Sequence, residues 1–176
     1  SRSTRRRGCC SPPGLPPRGA FGYLFGILPA LGTEWVYGDL VGELERAAVH
    51  ARELRDRLRP ESPLKRNRAK QLAMRLRSTA PIVYGAPPFN AIAKRWQTQL
   101  NENAKMMAFS SSLPEADHNE IIGWASDANA RRFAAILLRD ADESPEMRRR
   151  LDATAALFGK RARVEQIHDE DGQLLA

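Results

Sequence analysis

The sequence predicts an α/β fold in which a parallel sheet is flanked by helices on both faces. Three short apolar runs support this prediction: Pro81–Gly85, Met106–Phe109 and Arg132–Leu138. Buried parallel strands have this nearly continuous apolar character. A fourth strand is predicted at Arg163–Ile167 (RVEQI), after the last helix. Strands that alternate with helices in this way form parallel sheets through crossover connections.

Helices are predicted where apolar residues recur every three or four positions. The predicted helices are Ala20–Leu31, Asp39–Leu58, Ala69–Leu76, Asn90–Asn103, Ser112–Ile122 and Ser144–Phe158. Asn67 and Ser144 are expected to be N-caps. Ser112 and Glu115 have the spacing of a capping box, and Gly123 is suited to end the helix that this box begins.

Composition limits the class of protein. Of the 176 residues, 42% are hydrophobic and 28% are charged, which is the balance of a soluble globular domain. No apolar run reaches the length of a membrane helix, so no membrane partner is expected. The only cysteines are the adjacent Cys9 and Cys10, which can build neither a disulfide framework nor a metal site of four cysteines. This cysteine usage favours a cytoplasmic location.

The net charge of +7 raises the question of nucleic acid. Arginine supplies most of the positive charge, and it is scattered over predicted helices that also carry acidic residues. No interleaved aromatic and basic motif of an RNA-binding sheet is present. The sequence therefore favours a protein without a nucleic-acid partner, although binding that weakens steeply with salt would support the opposite interpretation.

Two polar phrases contain candidate functional residues, and both are expected beyond the carboxyl ends of the strands, where α/β sheets bind ligands. Glu102 lies near a helix C-terminus, which disfavours a negative charge, and it falls outside the apolar stripe of its helix. The simpler interpretation is a solvated glutamate paired with Lys105. His118 follows the second predicted strand, and its simpler interpretation is a surface histidine between Asp117 and Glu120.

Four phrases together resemble one enzyme family. They are Asn67–Leu76 (NRAKQLAMRL), Pro81–Ala86 (PIVYGA), Ala93–Lys105 (AKRWQTQLNENAK) and Leu113–Trp124 (LPEADHNEIIGW). In this order and spacing, they resemble the bifunctional phosphoglucose/phosphomannose isomerases, and Pro13–Leu28 is similar to the segment that leads into the second half of that family. The resemblance implies an SIS-type (sugar isomerase) three-layer sandwich, preceded by helices.

The resemblance also implies an activity and roles for three residues. Members of the family interconvert glucose 6-phosphate or mannose 6-phosphate with fructose 6-phosphate through a cis-enediol, without a metal or organic cofactor. Glu102 takes the place of the base that moves a proton between C1 and C2. His118 takes the place of the histidine that assists ring opening and reaches in from the neighbouring subunit of a homodimer. Arg18 is expected to help hold the substrate or the enediol charge.

The domain organisation follows from composition and resemblance together. Residues 1–17 are expected to be a disordered or non-native leader, because they combine four arginines and four prolines without periodicity. Residues 18–63 are expected to be a helical connecting segment, and residues 64–176 a second SIS subdomain that is incomplete at its C-terminus. The phosphate-binding loops and the catalytic lysine of the family have no match in this chain. The alternative function is a non-catalytic SIS module that binds a sugar phosphate.

Overall fold

A computed structural model describes residues 12–16, 19–23, 25–26 and 39–169. The chain divides into two compact units, one ending at Leu54 and the other beginning at Arg55. In the first unit, residues 21–23 and 25–26 are helical, whereas the rest of the helix predicted at Ala20–Leu31 lies outside the described residues. Helix α1 spans Leu40–Leu58, close to its predicted bounds. None of the helices in the described ranges has the length and apolar character needed to cross a bilayer.

The second unit contains the sheet. Its helices are α2 (Arg68–Leu76), α3 (Phe89–Asn103), α4 (Glu115–Asn119), α5 (Ile121–Ser126) and α6 (Pro145–Phe158), and its strands are β1 (Ala80–Gly85), β2 (Phe109–Ser112), β3 (Phe133–Arg139) and β4 (Arg163–His168). The strand order is β2-β1-β3-β4, and every neighbouring pair is parallel. The predicted α/β class with a parallel sheet is therefore confirmed.

The core lies on both faces of the sheet. On one face Tyr84 and Leu137 pack with residues of α4, α5 and α6, including Phe158. On the other face Val83 and Ile136 pack with residues of α2 and α3. Alternate residues of β1 and β3 thus serve opposite layers, as the two-residue period of a strand requires. The unit is a sandwich of three layers, helices on sheet on helices.

Two predicted N-caps are confirmed. The Asn67 side chain accepts a hydrogen bond from the Lys70 backbone N–H at 3.0 Å, and the Ser144 hydroxyl accepts one from the Met147 N–H at 3.2 Å. Asn67 is fully buried, and its amide also donates to the Leu58 carbonyl oxygen at 3.0 Å. This one side chain therefore both begins α2 and holds the end of α1 beside it.

The region around β2 differs from its prediction. The strand covers Phe109–Ser112, not Met106–Phe109, and Ser112 ends this strand instead of beginning a helix. The predicted capping box is therefore wrong: α4 has Pro114 at its N-cap, with no side-chain hydrogen bond there. Because β2 is an edge strand that pairs only with β1, it does not need the continuous apolar sequence of a central strand.

The single helix predicted up to Ile122 is instead two short helices, α4 and α5, joined at Glu120. Gly123, expected to end the helix, lies inside α5. The break at Glu120 coincides with contacts that its side chain makes to the sheet, which helical periodicity does not report.

Candidate active site

Glu102 occupies the last turn of α3, at the predicted helix C-terminus. Its side chain is exposed, and it pairs with no cation among the described residues. The Lys105 ammonium donates to the Glu102 backbone carbonyl oxygen, at 2.5 Å, and not to the carboxylate. The simple side-chain ion pair expected from the spacing is therefore not formed, and the carboxylate remains open to solvent.

The backbone around Glu102 is held from both sides. The Asn101 side chain accepts a hydrogen bond from the Ala108 backbone N–H at 2.8 Å, which ties the end of α3 to the approach of β2. Lys105 adopts a positive φ of 56°, the left-handed conformation in which many helices end. These contacts fix the helix end from which the Glu102 carboxylate projects.

His118 lies in α4 and is exposed. Its neighbour Asp117 points inward: one carboxylate oxygen accepts from the Thr154 hydroxyl at 2.8 Å, and the other lies 3.7 Å from the Arg150 guanidinium. The Asp117 side chain is only 12% exposed, so it is not a solvated companion of the histidine. His118 therefore lies on the surface, as its simpler interpretation expected, but Asp117 is not a surface charge beside it.

Glu120 also points inward, toward two strands. Its carboxylate accepts a hydrogen bond from the Tyr84 hydroxyl at 2.5 Å and a second from the Ser111 hydroxyl. The Tyr84 hydroxyl in turn accepts from the Trp124 indole N–H at 2.8 Å. Burial and, after it, the hydrogen bond to Glu120 raise the pKa of the Tyr84 phenol, which therefore stays protonated and donating at neutral pH.

Sequence reasoning did not find this hydrogen-bonded group of Tyr84, Ser111, Glu120 and Trp124. One signal was available, since a tyrosine inside a buried strand needs a partner for its hydroxyl. The identity of that partner was not predictable, because Glu120 is 36 residues away in sequence.

Glu102 and His118 lie at opposite ends of the parallel strands. Helix α3 starts after the carboxyl end of β1 and returns to the amino end of β2 over 15 residues, a length of about 22 Å. Glu102, in the last turn of this helix, is thus near the amino ends of the strands. His118 follows β2 and is near their carboxyl ends. The expectation that both lie beyond the carboxyl ends is wrong for Glu102, because a crossover helix always runs back across the sheet. One copy of the chain does not bring the two residues together.

The remaining predicted site residue, Arg18, lies outside the described residues. Within the described ranges, no three histidine, cysteine or acidic side chains are grouped in a way that could hold a metal ion.

A buried ionic cluster closes the carboxyl end of β3. Arg139 is 3% exposed and forms two hydrogen bonds to Glu143, at 2.6 and 2.7 Å, and one to Asp152 at 2.8 Å. The Glu143 hydrogen bonds raise the pKa of the Arg139 guanidinium, against the opposite effect of burial. One guanidinium thus contacts two carboxylates, of which Glu143 is 4% and Asp152 60% exposed, and the buried Arg139–Glu143 pair ties the loop between β3 and α6 to the strand.

A half-open cavity of about 230 Å³ lies between α5 and the sheet. Its lining residues are Ile82, Glu120, Gly123, Trp124, Asp127, Ala130 and Phe133. The lining is mainly apolar and includes neither Glu102 nor His118, so this cavity is separate from both candidate catalytic residues.

The fold and these residues define a three-layer α/β domain with a parallel sheet and two exposed candidate proton-transfer groups. The chain belongs to the family described as the bacterial phospho-glucose isomerase C-terminal SIS domain, whose model matches residues 65–176. Membership in this family confirms the resemblance that the four sequence phrases carry.

Curated relatives and a solved structure agree with this assignment. The bifunctional phosphoglucose/phosphomannose isomerase of Aquifex aeolicus is 31% identical over 148 residues, covering 84% of this chain and 42% of that protein. The enzyme of the same name from Caldicellulosiruptor bescii is 34% identical over 150 residues, covering 84% of this chain and 44% of that protein. The chain thus spans less than half the length of these relatives. The crystal structure of a glucose-6-phosphate isomerase like protein from Thermus thermophilus superposes with a TM-score of 0.64 at 25% identity, covering 83% of this chain and 47% of that one.

Proposed function

We propose that this chain carries catalytic residues of an aldose–ketose isomerase that interconverts glucose 6-phosphate or mannose 6-phosphate with fructose 6-phosphate. The observation that carries the proposal is the exposed Glu102 carboxylate, which has no cationic partner among the described residues. The substrate class comes from the names of the relatives and from the family. The chain spans less than half the length of those enzymes, and the proposal is that two copies of it together form the catalytic assembly.

The proposed chemistry is a proton transfer between neighbouring carbons. Glu102 removes the proton from C2 of the open-chain aldose, the C2 electron pair forms the double bond to C1, and the C1 carbonyl oxygen takes up a proton from solvent to become a hydroxyl of the cis-enediol. The same carboxyl group then returns a proton to C1, while the C2 hydroxyl releases its proton to solvent and becomes the carbonyl of the ketose. A single carboxylate within reach of both carbons serves the two proton transfers at carbon, and none of these steps needs a metal or an organic cofactor.

His118 is proposed to open the sugar ring, which requires a group that both donates and accepts a proton near neutral pH. Glu102 and His118 lie at opposite ends of the strands in one chain, which supports a site to which two copies contribute. The proposal therefore includes a homodimer in which each site combines Glu102 of one copy with His118 of the other. Arg18 is proposed to hold the substrate or the enediol charge.

The organisation and location complete the proposal. Residues 18–63 serve as a helical connecting segment, and residues 64–176 form the SIS subdomain. The protein acts in the cytoplasm on sugar phosphates of carbohydrate metabolism such as glycolysis, and neither nucleic acid nor membrane is its partner.

A coupled assay of fructose 6-phosphate conversion to glucose 6-phosphate tests the function. The wild-type chain is compared with Glu102→Gln, which keeps the shape of the side chain and removes the base. Glu146→Gln is a matched control, because Glu146 is also a helical glutamate and its side chain is 76% exposed. We expect turnover in the wild type and in the control, and a loss of at least about a hundredfold in Glu102→Gln.

The alternative function, a non-catalytic sugar-phosphate-binding module, gives a different result in the same experiment. Fructose 6-phosphate would bind to the wild type and to Glu102→Gln with equal affinity, and no variant would convert it. That outcome would overturn the isomerase proposal.

A further inference from the structure

We propose that the hydrogen-bonded group of Tyr84, Ser111 and Glu120 is a positioning cluster that sets the orientation of His118. The proposal rests on the proposed function, in which His118 opens the sugar ring, and it assigns an indirect role to three residues that do not touch the substrate. The structural reason is that this exposed histidine lies in a helix too short to hold itself in place.

Helix α4 has only five residues and no side-chain hydrogen bond at its N-cap. Isolated helices of this length are unstable in water, because the first turn costs more conformational entropy than its hydrogen bonds return. The orientation of α4 must therefore come from contacts with the rest of the domain. Its buried apolar contact is a single small residue, Ala116, which leaves polar contacts as the main source of orientation.

These polar contacts flank His118 in sequence. On the preceding side, the Asp117 carboxylate accepts from the Thr154 hydroxyl of α6 at 2.8 Å. On the following side, Glu120 is bound by Tyr84 of β1 and Ser111 of β2. Because the side chains of Asp117 and Glu120 are both directed inward, His118 lies on the outward surface of α4.

Glu120 is also the joint between α4 and α5. Its backbone N–H donates to the Ala116 carbonyl oxygen at 2.9 Å, and its backbone carbonyl oxygen accepts from the Trp124 backbone N–H at 3.1 Å. The side chain of this joint residue reaches the sheet, so a shift of its carboxylate moves both helices. Two hydroxyl donors from neighbouring strands fix that carboxylate in two directions.

The first test measures backbone hydrogen exchange in Tyr84→Phe and Ser111→Ala. Each change removes one hydroxyl from Glu120, and the first keeps the buried aromatic ring. Ser110→Ala is the matched control, because the Ser110 hydroxyl donates to Gln97 at 2.8 Å, a residue of α3. We expect the Glu120 N–H to exchange at least about tenfold faster in both test variants, while the amides of β3 and the control stay unchanged. Unchanged exchange at Glu120 in both variants would overturn the proposal, whether or not the chain is an active isomerase.

The second test separates positioning from general structural support. Glucose 6-phosphate must open its ring before isomerisation, whereas a four-carbon aldose phosphorylated on O4 has no free hydroxyl that could close a five- or six-membered ring and bypasses that step. We expect Ser111→Ala to lower kcat for glucose 6-phosphate about tenfold or more and to leave kcat for the four-carbon substrate nearly unchanged. Equal losses on the two substrates would mean that the cluster supports the fold only and would overturn its link to His118. An inactive wild-type chain would contradict the proposed function, and hydrogen exchange would still decide whether the cluster orients α4.

Discussion

The end of α3 and the α4–α5 segment carry the two candidate catalytic residues and are built in different ways. Glu102 projects from a 15-residue helix whose end is fixed by contacts close in sequence, such as the hydrogen bond from the Ala108 backbone N–H to the Asn101 side chain. His118 projects from a five-residue helix held by side chains from β1, β2 and α6. One site depends on local structure and the other on tertiary contacts.

The two residues should therefore differ in how they tolerate changes elsewhere in the chain. A regular helix keeps its end in place when a distant side chain is altered, because its own hydrogen bonds define its axis. A short helix depends on a few contacts, and losing one of them moves the residue it presents. Substitutions far from Glu102 in sequence should leave the base intact, whereas substitutions at several distant positions should disturb His118.

The largest expected effect comes from separating the two residues onto different copies. Glu102→Gln and His118→Asn are each expected to lower turnover about a hundredfold, because each removes a proton-transfer group. An equimolar mixture should recover about one quarter of the wild-type rate, since half of the dimers are mixed and one of their two sites has both residues intact. The measurement is the coupled assay after the two variants have exchanged subunits.

His168→Asn is the control for the histidine, because His168 is also exposed and lies in β4. No recovery in a mixture that has demonstrably exchanged subunits would contradict a site shared between copies.

The next prediction compares Thr154, which is buried, with Thr98, which is half-buried. Both hydroxyls lie near a carbonyl oxygen of their own helix, Thr154 at 3.0 Å from Arg150 and Thr98 at 2.8 Å from Arg95, but Thr154 also donates to Asp117 of α4 at 2.8 Å. Thr154→Val leaves the Asp117 carboxylate without that donor and is expected to lower the free energy of unfolding by about 1–3 kcal/mol. Thr98→Val should cost less than about 1 kcal/mol, since the Arg95 carbonyl remains available to the helix. Urea unfolding monitored by circular dichroism measures both values, and equal losses would remove the distinction between the two regions.

The sequence predicted the local features of both regions and missed the tertiary ones. Apolar periodicity and capping residues such as Asn67 and Ser144 placed α2, α3 and α6, because these signals lie within a few residues of the structure that they specify. Ser112 and Glu115 have the same local spacing as a capping box, yet Ser112 belongs to β2. Pairing with β1 overrides the local preference there, and a local pattern carries no information about that partner.

The candidate site divides in the same way. The position of Glu102 at a helix end followed from the helical pattern. To predict that it lies near the amino ends of the strands, the direction of the crossover helix α3 also had to be considered. The inward direction of Asp117 and Glu120 required knowledge of Thr154 and Tyr84, which are 37 and 36 residues away in sequence. Long-range side-chain contacts of this kind leave no periodic trace.

The smallest expected effect concerns pH and tests the buried hydrogen bond from Tyr84 to Glu120. Burial and the hydrogen bond to Glu120 raise the pKa of Tyr84 above its ordinary value of 10.0 in the folded state only. Above pH 10 the unfolded chain therefore releases a proton that the folded chain retains, and the stability present below pH 10 is lost as the pH rises. The free energy of unfolding of the wild type should fall faster than that of Tyr84→Phe, by up to about 1.4 kcal/mol for each pH unit above 10. Urea unfolding at about pH 9, 10 and 11, on both sides of the ordinary tyrosine pKa, measures the difference. If the free energies of unfolding of the two proteins changed equally with pH, a protonated, buried Tyr84 hydroxyl as the donor to Glu120 would be contradicted.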